Sequence, residues 1–176
     1  PVDPVDPVDP VDPVTVGPFS ISQGSDDGYS WENYGSGWSS QGLDLDNIRF
    51  GGAGNQGRDY VVSLIFRNID VPAGKKVLSA KLVFSAQDFQ NESGSIDLNI
   101  VALDPVSTLT FSENNMAQDR IALPANVHWN KSTVAVESAD ISVLVQKIVD
   151  DEDWQSGGSM SFKIENTLGS DGDVRH

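Results

Sequence analysis

Residues 60–67 read YVVSLIFR, and this short stretch decides the fold class. The side chains predicted to share one face are Tyr60, Val62, Leu64 and Phe66. Ser63 and Arg67 fall on the opposite face. Alternation with a period of two predicts a strand that buries one face, as strands of antiparallel sheets do.

Three further segments repeat the alternation. Their predicted inward sets are Leu78, Ala80, Leu82 and Phe84; Ile96, Leu98, Ile100 and Ala102; and Met160, Phe162 and Ile164. Additional strands are predicted near residues 19–23, 43–50 and 133–137. The connections are rich in Gly, Ser, Asn and Asp, and short strands joined in this way are typical of a β-sandwich.

One segment departs from the strand pattern. Its apolar residues recur at helical spacing: Ile141, Leu144, Val145, Ile148 and Val149. Ser138 or Asp140 could cap a helix there of about three turns. We therefore predict an all-β fold, an antiparallel two-sheet β-sandwich of the jelly-roll type with one short helix.

Residues 1–14 read PVDPVDPVDPVDPV and differ in character from the rest of the chain. Proline at every third position matches the three-residue turn of polyproline II, and the aspartates repel one another. The sequence predicts a semi-rigid linker of about 40 Å that tethers the domain of residues 15–176 to a neighbouring catalytic or surface domain. The alternative is a recognition peptide for an aromatic groove.

The charge of the chain limits its partners. Its 26 acidic residues against 11 basic ones give a net charge of -15, which repels nucleic acid and anionic lipid. The sequence has no cysteine and no apolar run of the roughly 18 residues that a membrane-spanning helix needs. We predict a secreted, extracellular monomer that neither binds nucleic acid nor inserts into a membrane.

Residues 25–38, SDDGYSWENYGSGW, concentrate aromatic side chains among small and polar ones. Flat rings stack on the apolar faces of sugars and expose large area at little conformational cost. The residues predicted to bind ligand in this presumed loop and beside it are Tyr29, Trp31, Glu32, Tyr34, Trp38, Arg49 and Arg58, with Asp27 as a further hydrogen-bonding group. The alternative is that two of the aromatic rings pack into the core.

Carboxylates recur in pairs along the chain. Calcium takes six to eight oxygen ligands, which flexible loops supply. The predicted structural calcium ligands are Asp26, Asp27, Asp44 and Asp46. The acidic run at residues 150–153 follows the predicted helix, and it is either a solvated helix end or a second metal site.

Catalytic signatures are weak. Acidic pairs could suit a glycosidase, but they are so frequent here that no single pair is informative. The sequence has two histidines, His128 and His176, which makes a histidine-based triad or a three-histidine zinc centre a poor fit. The glycines at residues 51–54 precede neither a lysine nor a helix, unlike a phosphate-binding loop. We predict that the domain is not an enzyme.

Several short motifs occur in a suggestive order. They are the Ser-Asp-Asp turn at residues 25–27, Leu-Asp-Leu at 43–45, the strand at 61–67, Asn-Ile-Asp-Val-Pro-Ala-Gly at 68–74, the strand at 78–86, Trp129, and the segment from Asp140 to Trp154 followed by Ser-Gly-Gly at 156–158. From about Val16 onward the chain resembles DNRLRE-type and related carbohydrate-binding jelly-roll modules of bacterial polysaccharide-degrading enzymes and surface proteins.

The resemblance implies a jelly roll, often with bound calcium, that targets an attached glycoside hydrolase or polysaccharide lyase to a marine algal or plant cell-wall polysaccharide. Two departures from the family pattern are the rich aromatic stretch at residues 29–38 and an end at residues 175–176, where a final strand is usual. The alternative function, from another class, is a structural or adhesive module of a large surface protein without a sugar ligand.

Overall fold

The computed structural model describes residues 15–33, 37–43, 48–53, 58–84, 90–91, 96–105, 110–112, 115–131, 137–167 and 173–175. Within these ranges the chain forms nine strands and one α-helix. The strands are β1 (Asp27–Asn33), β2 (Gly37–Leu43), β3 (Arg49–Ala53), β4 (Arg58–Ile69), β5 (Gln90–Asn91), β6 (Ile96–Leu103), β7 (Ala122–Lys131), β8 (Gly158–Asn166) and β9 (Asp173–Arg175). The helix α1 spans Ser142–Val149.

Six strands form the main sheet in the order β2-β1-β4-β8-β6-β7, and each neighbouring pair is antiparallel. The strand β3 joins this sheet to a smaller one. Its last residues pair with β4, whereas its first residues pair with β9, which also pairs with β5. The chain is thus an all-β, sandwich-like fold with one helix, as the sequence predicts.

We call the face of the main sheet that carries Tyr60, Val62 and Leu64 the inner face. The predicted alternation of β4, β6 and β8 is confirmed, because their inward residues are buried in one apolar cluster. Its sheet members include Tyr60, Val62, Leu64, Leu98, Ile100, Ala102, Met160, Phe162 and Ile164. Phe66 is only partly buried and packs against the same cluster.

The helix α1 lies over this core with its predicted apolar stripe turned inward. Ile141 and the buried α1 residues Leu144, Val145, Ile148 and Val149 all belong to the inner cluster. Asp140 supplies the cap, since its Oδ1 accepts hydrogen bonds from the backbone N–H groups of Ser142 (2.8 Å) and Ala80 (3.2 Å). The helix is eight residues long, about two turns rather than the predicted three.

The turn after α1 is held by a buried tryptophan. Trp154 is 4% exposed, and its indole N–H donates to the carbonyl oxygen of Val71 over 3.0 Å. The first residue of β8, Gly158, passes so close that a Cβ atom there would lie 2.8 Å from the Gln155 carbonyl oxygen and 3.0 Å from the Trp154 ring. A side chain at this position would therefore displace the turn.

Two predicted strands differ from the structure. Residues 19–23 form no strand and lead into a short 3₁₀ turn at Gly24–Asp26. Residues 78–84 form no strand either, apart from an isolated bridge between Val83 and Glu137. Their alternation still holds for Leu82, which is buried, and for Ala80 and Phe84, which are partly buried against the inner cluster, whereas Leu78 is 59% exposed.

The opposite, outer face of the main sheet is also partly covered. Val61 and Ile65 on β4 are buried in a second apolar cluster. Leu103 on β6 belongs to the same cluster, and the members that cover it from outside the sheet are Phe111, Met116 and Ala117. Ser63 lies between the two β4 residues, 0% exposed, and its Oγ accepts a hydrogen bond from the Ala117 N–H. The central strand is therefore buried on both sides, which its one-face interpretation missed.

Candidate functional site

The aromatic stretch predicted as a loop is a β-hairpin. β1 pairs on one side with β2 and on the other with β4, so residues 27–33 lie inside the main sheet. Consecutive side chains of a strand point to opposite faces. Trp31 lies opposite Tyr60 in the register and shares the inner face with it, whereas Glu32 lies opposite Asp59 on the outer face. The structure therefore does not bring Trp31 and Glu32, which were predicted to share a site, to the same face of the sheet.

Tyr29 is a core residue rather than a surface one. It is 5% exposed and packs edge-on against Tyr60, with the ring centroids 5.7 Å apart and an interplanar angle of 71°. Trp31 is partly exposed, and its ring lies 6.1 Å from that of Tyr29 at 40°. Tyr29, predicted to stack on a ligand, is therefore placed in the core, where its ring lies next to that of Trp31.

Arg49 reaches the same aromatic group from β3. Its Nη1 donates to the phenol oxygen of Tyr60 over 3.4 Å, and its guanidinium carbon lies 6.0 Å from the centre of the Tyr60 ring. The register also places the β9 position Arg175 directly opposite Arg49. Trp31, Arg49 and Tyr60 together form what we call the Trp31–Arg49 rim.

The remaining predicted ligand-binding residues fall elsewhere. Trp38 pairs in register with Glu32 rather than with Trp31, and Arg58 pairs with Asn33 on one side and with Ala53 on the other. The side chains of these two residues, and all of Tyr34, lie outside the described residues. Of the seven predicted residues, the structure places Trp31 and Arg49 together at the rim.

Asp26 has a different role from the predicted one. Its carboxylate is 0% exposed and is bound by the Arg67 guanidinium, with Nε 2.6 Å from Oδ2 and Nη2 2.5 Å from Oδ1. The hydrogen bond to Asp26 raises the pKa of Arg67. Both oxygens that were predicted to hold calcium are therefore occupied by an arginine, and the pair fastens the start of β1 to β4.

The other predicted metal ligands do not form a centre in the described part of the chain. Asp27 is half-buried at the first position of β1, opposite Leu64, and Asp44 and Asp46 lie outside the described residues. Within the described ranges, no three His, Cys, Asp or Glu residues come close enough to hold a metal ion. Calcium binding therefore stays a prediction. In the same ranges, no helix has the length and apolarity to cross a bilayer.

The rim combines two kinds of group that a sugar can use. Trp31 contributes a partly exposed indole whose nitrogen is buried, so it can offer apolar contact, and a guanidinium offers several N–H donors in a fixed plane. Tyr60 joins the two but was predicted only as a core residue, because its place in the alternation of β4 gives no sign of its hydrogen bond. Only the pairing of β3 and β1 with β4 brings Arg49 and Trp31 to it.

Comparisons with known proteins do not assign the chain to a family. No protein-family model, no curated protein and no solved structure matches the chain.

Proposed function

We propose that this chain is a non-catalytic module that binds an extracellular polysaccharide at the Trp31–Arg49 rim. The observation that carries the proposal is the meeting of a partly exposed indole and a guanidinium around one buried tyrosine. The indole would stack on the C–H face of a sugar ring. The guanidinium, already oriented by Tyr60, would donate to neighbouring hydroxyl or carboxylate oxygens.

The residues under the rim give it a rigid base. Tyr29 and Tyr60 are 5% and 1% exposed, so the base on which Trp31 rests is part of the core rather than a mobile loop. A site built on strands is held in place before the ligand arrives, and less conformational entropy is lost on binding.

The chemistry of the rim favours binding over catalysis. A guanidinium remains protonated throughout the range in which proteins work, and an indole N–H does not titrate there, so neither group serves as a general acid or base. In this proposal the reaction belongs to an attached domain, to which residues 1–14 form the linker. The module would be secreted with that domain and hold it on the polymer.

The proposal is tested by affinity electrophoresis and a glycan array with the full chain. The panel should hold uncharged, uronate-bearing and sulfated polysaccharides. We expect at least one to retard the wild-type chain, and Arg49→Gln to weaken that binding by about tenfold, the effect of losing one charge-assisted contact.

Lys147→Gln is the matched control, because it removes one positive charge from the exposed side of α1. It should leave the affinity unchanged. The proposal fails if no polysaccharide binds the wild-type chain, or if Arg49→Gln and Lys147→Gln behave alike.

A further inference from the structure

The outer face of the main sheet is divided into two parts. Over β4 it is covered by the second apolar cluster. Towards the end of β6 the buried Val101 and Leu103 continue this apolar part, and the rest of β6 and β7 presents exposed or partly exposed polar side chains. The register sets these side chains in pairs, Asp97 opposite Asn130 and Asn99 opposite His128, with Asn126 opposite Val101 in the next row. We call the group Asp97, Asn99, Asn126, His128 and Asn130 the outer shelf.

The residue types of the outer shelf are unusual for β-strands. Asparagine and aspartate are depleted in strands, yet Asn99, Asn126 and Asn130 lie on neighbouring strands within two rows of one another. A merely solvated face needs polarity alone, and threonine supplies polarity with a better strand propensity. Residues that violate the local preference of their element are expected at functional sites.

The inner face of the same two strands obeys the strand pattern. Leu98 and Trp129, which pair directly, are 1% and 4% exposed, and Ile100 is 0% exposed. The departure from ordinary strand composition is therefore confined to the outer face of β6 and β7. An amide-rich face requires an explanation that does not apply to the whole strand.

The two carboxylates on and beside the outer shelf, Asp97 and Glu165, both have polar partners. The Asp97 carboxylate accepts a hydrogen bond from Asn130 Nδ2 over 2.7 Å and lies 3.5 Å from His128 Nε2. On β8 the Lys163 ammonium lies 2.8 Å from the Glu165 carboxylate, and Glu165 pairs in register with Asn99. The shelf therefore offers a group of amide donors and acceptors, of which Asn130 is held by its hydrogen bond to Asp97.

We propose that the outer shelf is a second carbohydrate contact site, for an uncharged, hydroxyl-rich glycan. Amides both donate to and accept from hydroxyl groups, and the Lys163 ammonium beside the shelf is already paired with Glu165 rather than free for an anionic chain. The site lies on the opposite face of the sheet from Trp31, so the module would hold two polysaccharide segments. The choice of ligand class rests on the proposed function, whereas the location does not.

The test is an NMR titration of the ¹⁵N-labelled full chain with uncharged hexasaccharides of glucose, xylose, mannose and galactose, and with an oligouronate of equal length. The side-chain amide signals of Asn99, Asn126 and Asn130 should shift with at least one uncharged sugar and persist in Trp31→Ala. The control is the side-chain amide of Gln146, which is bonded to the Lys75 carbonyl and to Asp150 on α1 and should not move.

A variant separates a ligand site from a solvated face. The triple change Asn99→Thr, Asn126→Thr and Asn130→Thr keeps polarity and improves strand propensity but removes the Asn130–Asp97 hydrogen bond, so we expect the melting temperature to stay within about 4 °C of wild type. Binding at the outer shelf should fall by about tenfold or more. Ser159→Thr, elsewhere on β8, is the matched control and should leave binding unchanged.

Each other outcome has a definite meaning. Shifts confined to Trp31 and Arg49, or triple-variant binding equal to wild type, overturn the second site and leave the rim intact. Asparagine shifts with the oligouronate alone overturn the assigned ligand class. If no sugar moves any asparagine signal, the outer shelf fails, whereas the proposed function fails only if no polysaccharide of the array, sulfated ones included, binds the wild-type chain.

Discussion

Two aromatic groups lie on the inner side of the main sheet, and they differ in how far their rings are exposed to solvent. Phe50, Phe84 and Trp129 form one group, in which Phe84 stacks on Trp129 at 5.8 Å and 8° while Phe50 meets both rings edge-on. Tyr29, Trp31 and Tyr60 form the other. Phe50 is 1% and Trp129 4% exposed, whereas the second group ends in a partly exposed tryptophan beside a guanidinium.

The difference teaches that aromatic density alone does not identify a binding surface. The first group comes from three separate segments and closes the core between the main sheet and β3. The second comes largely from one conspicuous stretch of sequence, yet Tyr29 in it is as deeply placed as a core residue. The rim differs from the first group in two ways. Trp31 packs on buried tyrosines but is itself partly exposed, and the Arg49 guanidinium is hydrogen-bonded to one of those tyrosines.

The largest effect should come from the buried group. Trp129→Ala removes a ring from the core and should lower the free energy of unfolding by about 3–5 kcal/mol, the range for large aromatic residues cut from a core. Urea denaturation measures it. Trp129→Phe is the control and should cost less, because most of the ring volume remains. A loss below about 1 kcal/mol for Trp129→Ala would show that this group does not close the core.

A somewhat smaller effect concerns the fastening of the hairpin that carries Trp31. Arg67→Ala leaves the Asp26 carboxylate buried without its arginine, and such losses cost about 3 kcal/mol or more. Lys81→Ala is the control, since its ion pair with Glu137 has side chains 46% and 52% exposed and is worth less than about 1 kcal/mol. Equal stability losses in the two variants would mean that the buried pair does not hold β1 to β4.

Trp31 itself should matter less to stability than Trp129. Its ring is partly exposed, so Trp31→Ala should lower the free energy of unfolding by about 1–2 kcal/mol, less than for a fully buried aromatic residue. Chemical denaturation of Trp31→Ala beside Trp129→Ala gives the comparison directly. If the two losses are equal, Trp31 belongs to the core and the contrast between the groups disappears.

The smallest effect concerns Asp140, which ties α1 to Ala80 on the side of the buried group. Asp140→Ala removes a cap and should cost about 1 kcal/mol. The hydrogen bonds from Ser142 and Ala80 lower the pKa of this carboxyl below its ordinary value of 3.8. Its contribution is therefore complete above that value and is lost as the pH falls through the lower, folded-state pKa.

Thermal melts between pH 7 and pH 2 measure this dependence. The wild-type chain should lose more stability at the acid end than Asp140→Asn, which retains an acceptor oxygen but does not titrate. Parallel pH profiles for the two proteins would contradict the assigned role of the charge.

Much of the fold could be predicted because its signals are local. The period-two pattern of β4, β6 and β8 and the helical spacing from Ile141 to Val149 each follow from one buried face. The hairpin was mistaken for a loop, because Gly, Ser and Asn have low strand propensity and β1 is a strand only through its pairing with β4. The nearly continuous apolar run in β4 is also typical of a strand that is buried on both faces. Ser63 interrupts this run, and its polarity favours the interpretation that only one face is buried.

Part of the candidate site could also be predicted, because the types of its residues are visible in the local sequence. Trp31 and Arg49 were found from residue type, but their meeting at Tyr60 depends on strand pairings between distant segments. Asp26 had the composition of a calcium ligand, and its partner Arg67 lies 41 positions away in the chain, so no local pattern reveals the ion pair. The asparagines of the outer shelf carried a signal in their strand propensity, which an interpretation based on polarity alone passes over.

The measurement that tests the central claim most directly is the affinity of Trp31→Ala for the polysaccharide selected by the glycan array, determined by isothermal titration calorimetry at a temperature where the variant is folded. The account predicts that Trp31→Ala weakens binding by about tenfold or more, as truncated aromatic anchors do, while Trp31→Phe retains most of the affinity. An affinity of Trp31→Ala equal to that of the wild-type chain would contradict the assignment of the Trp31–Arg49 rim as the binding site.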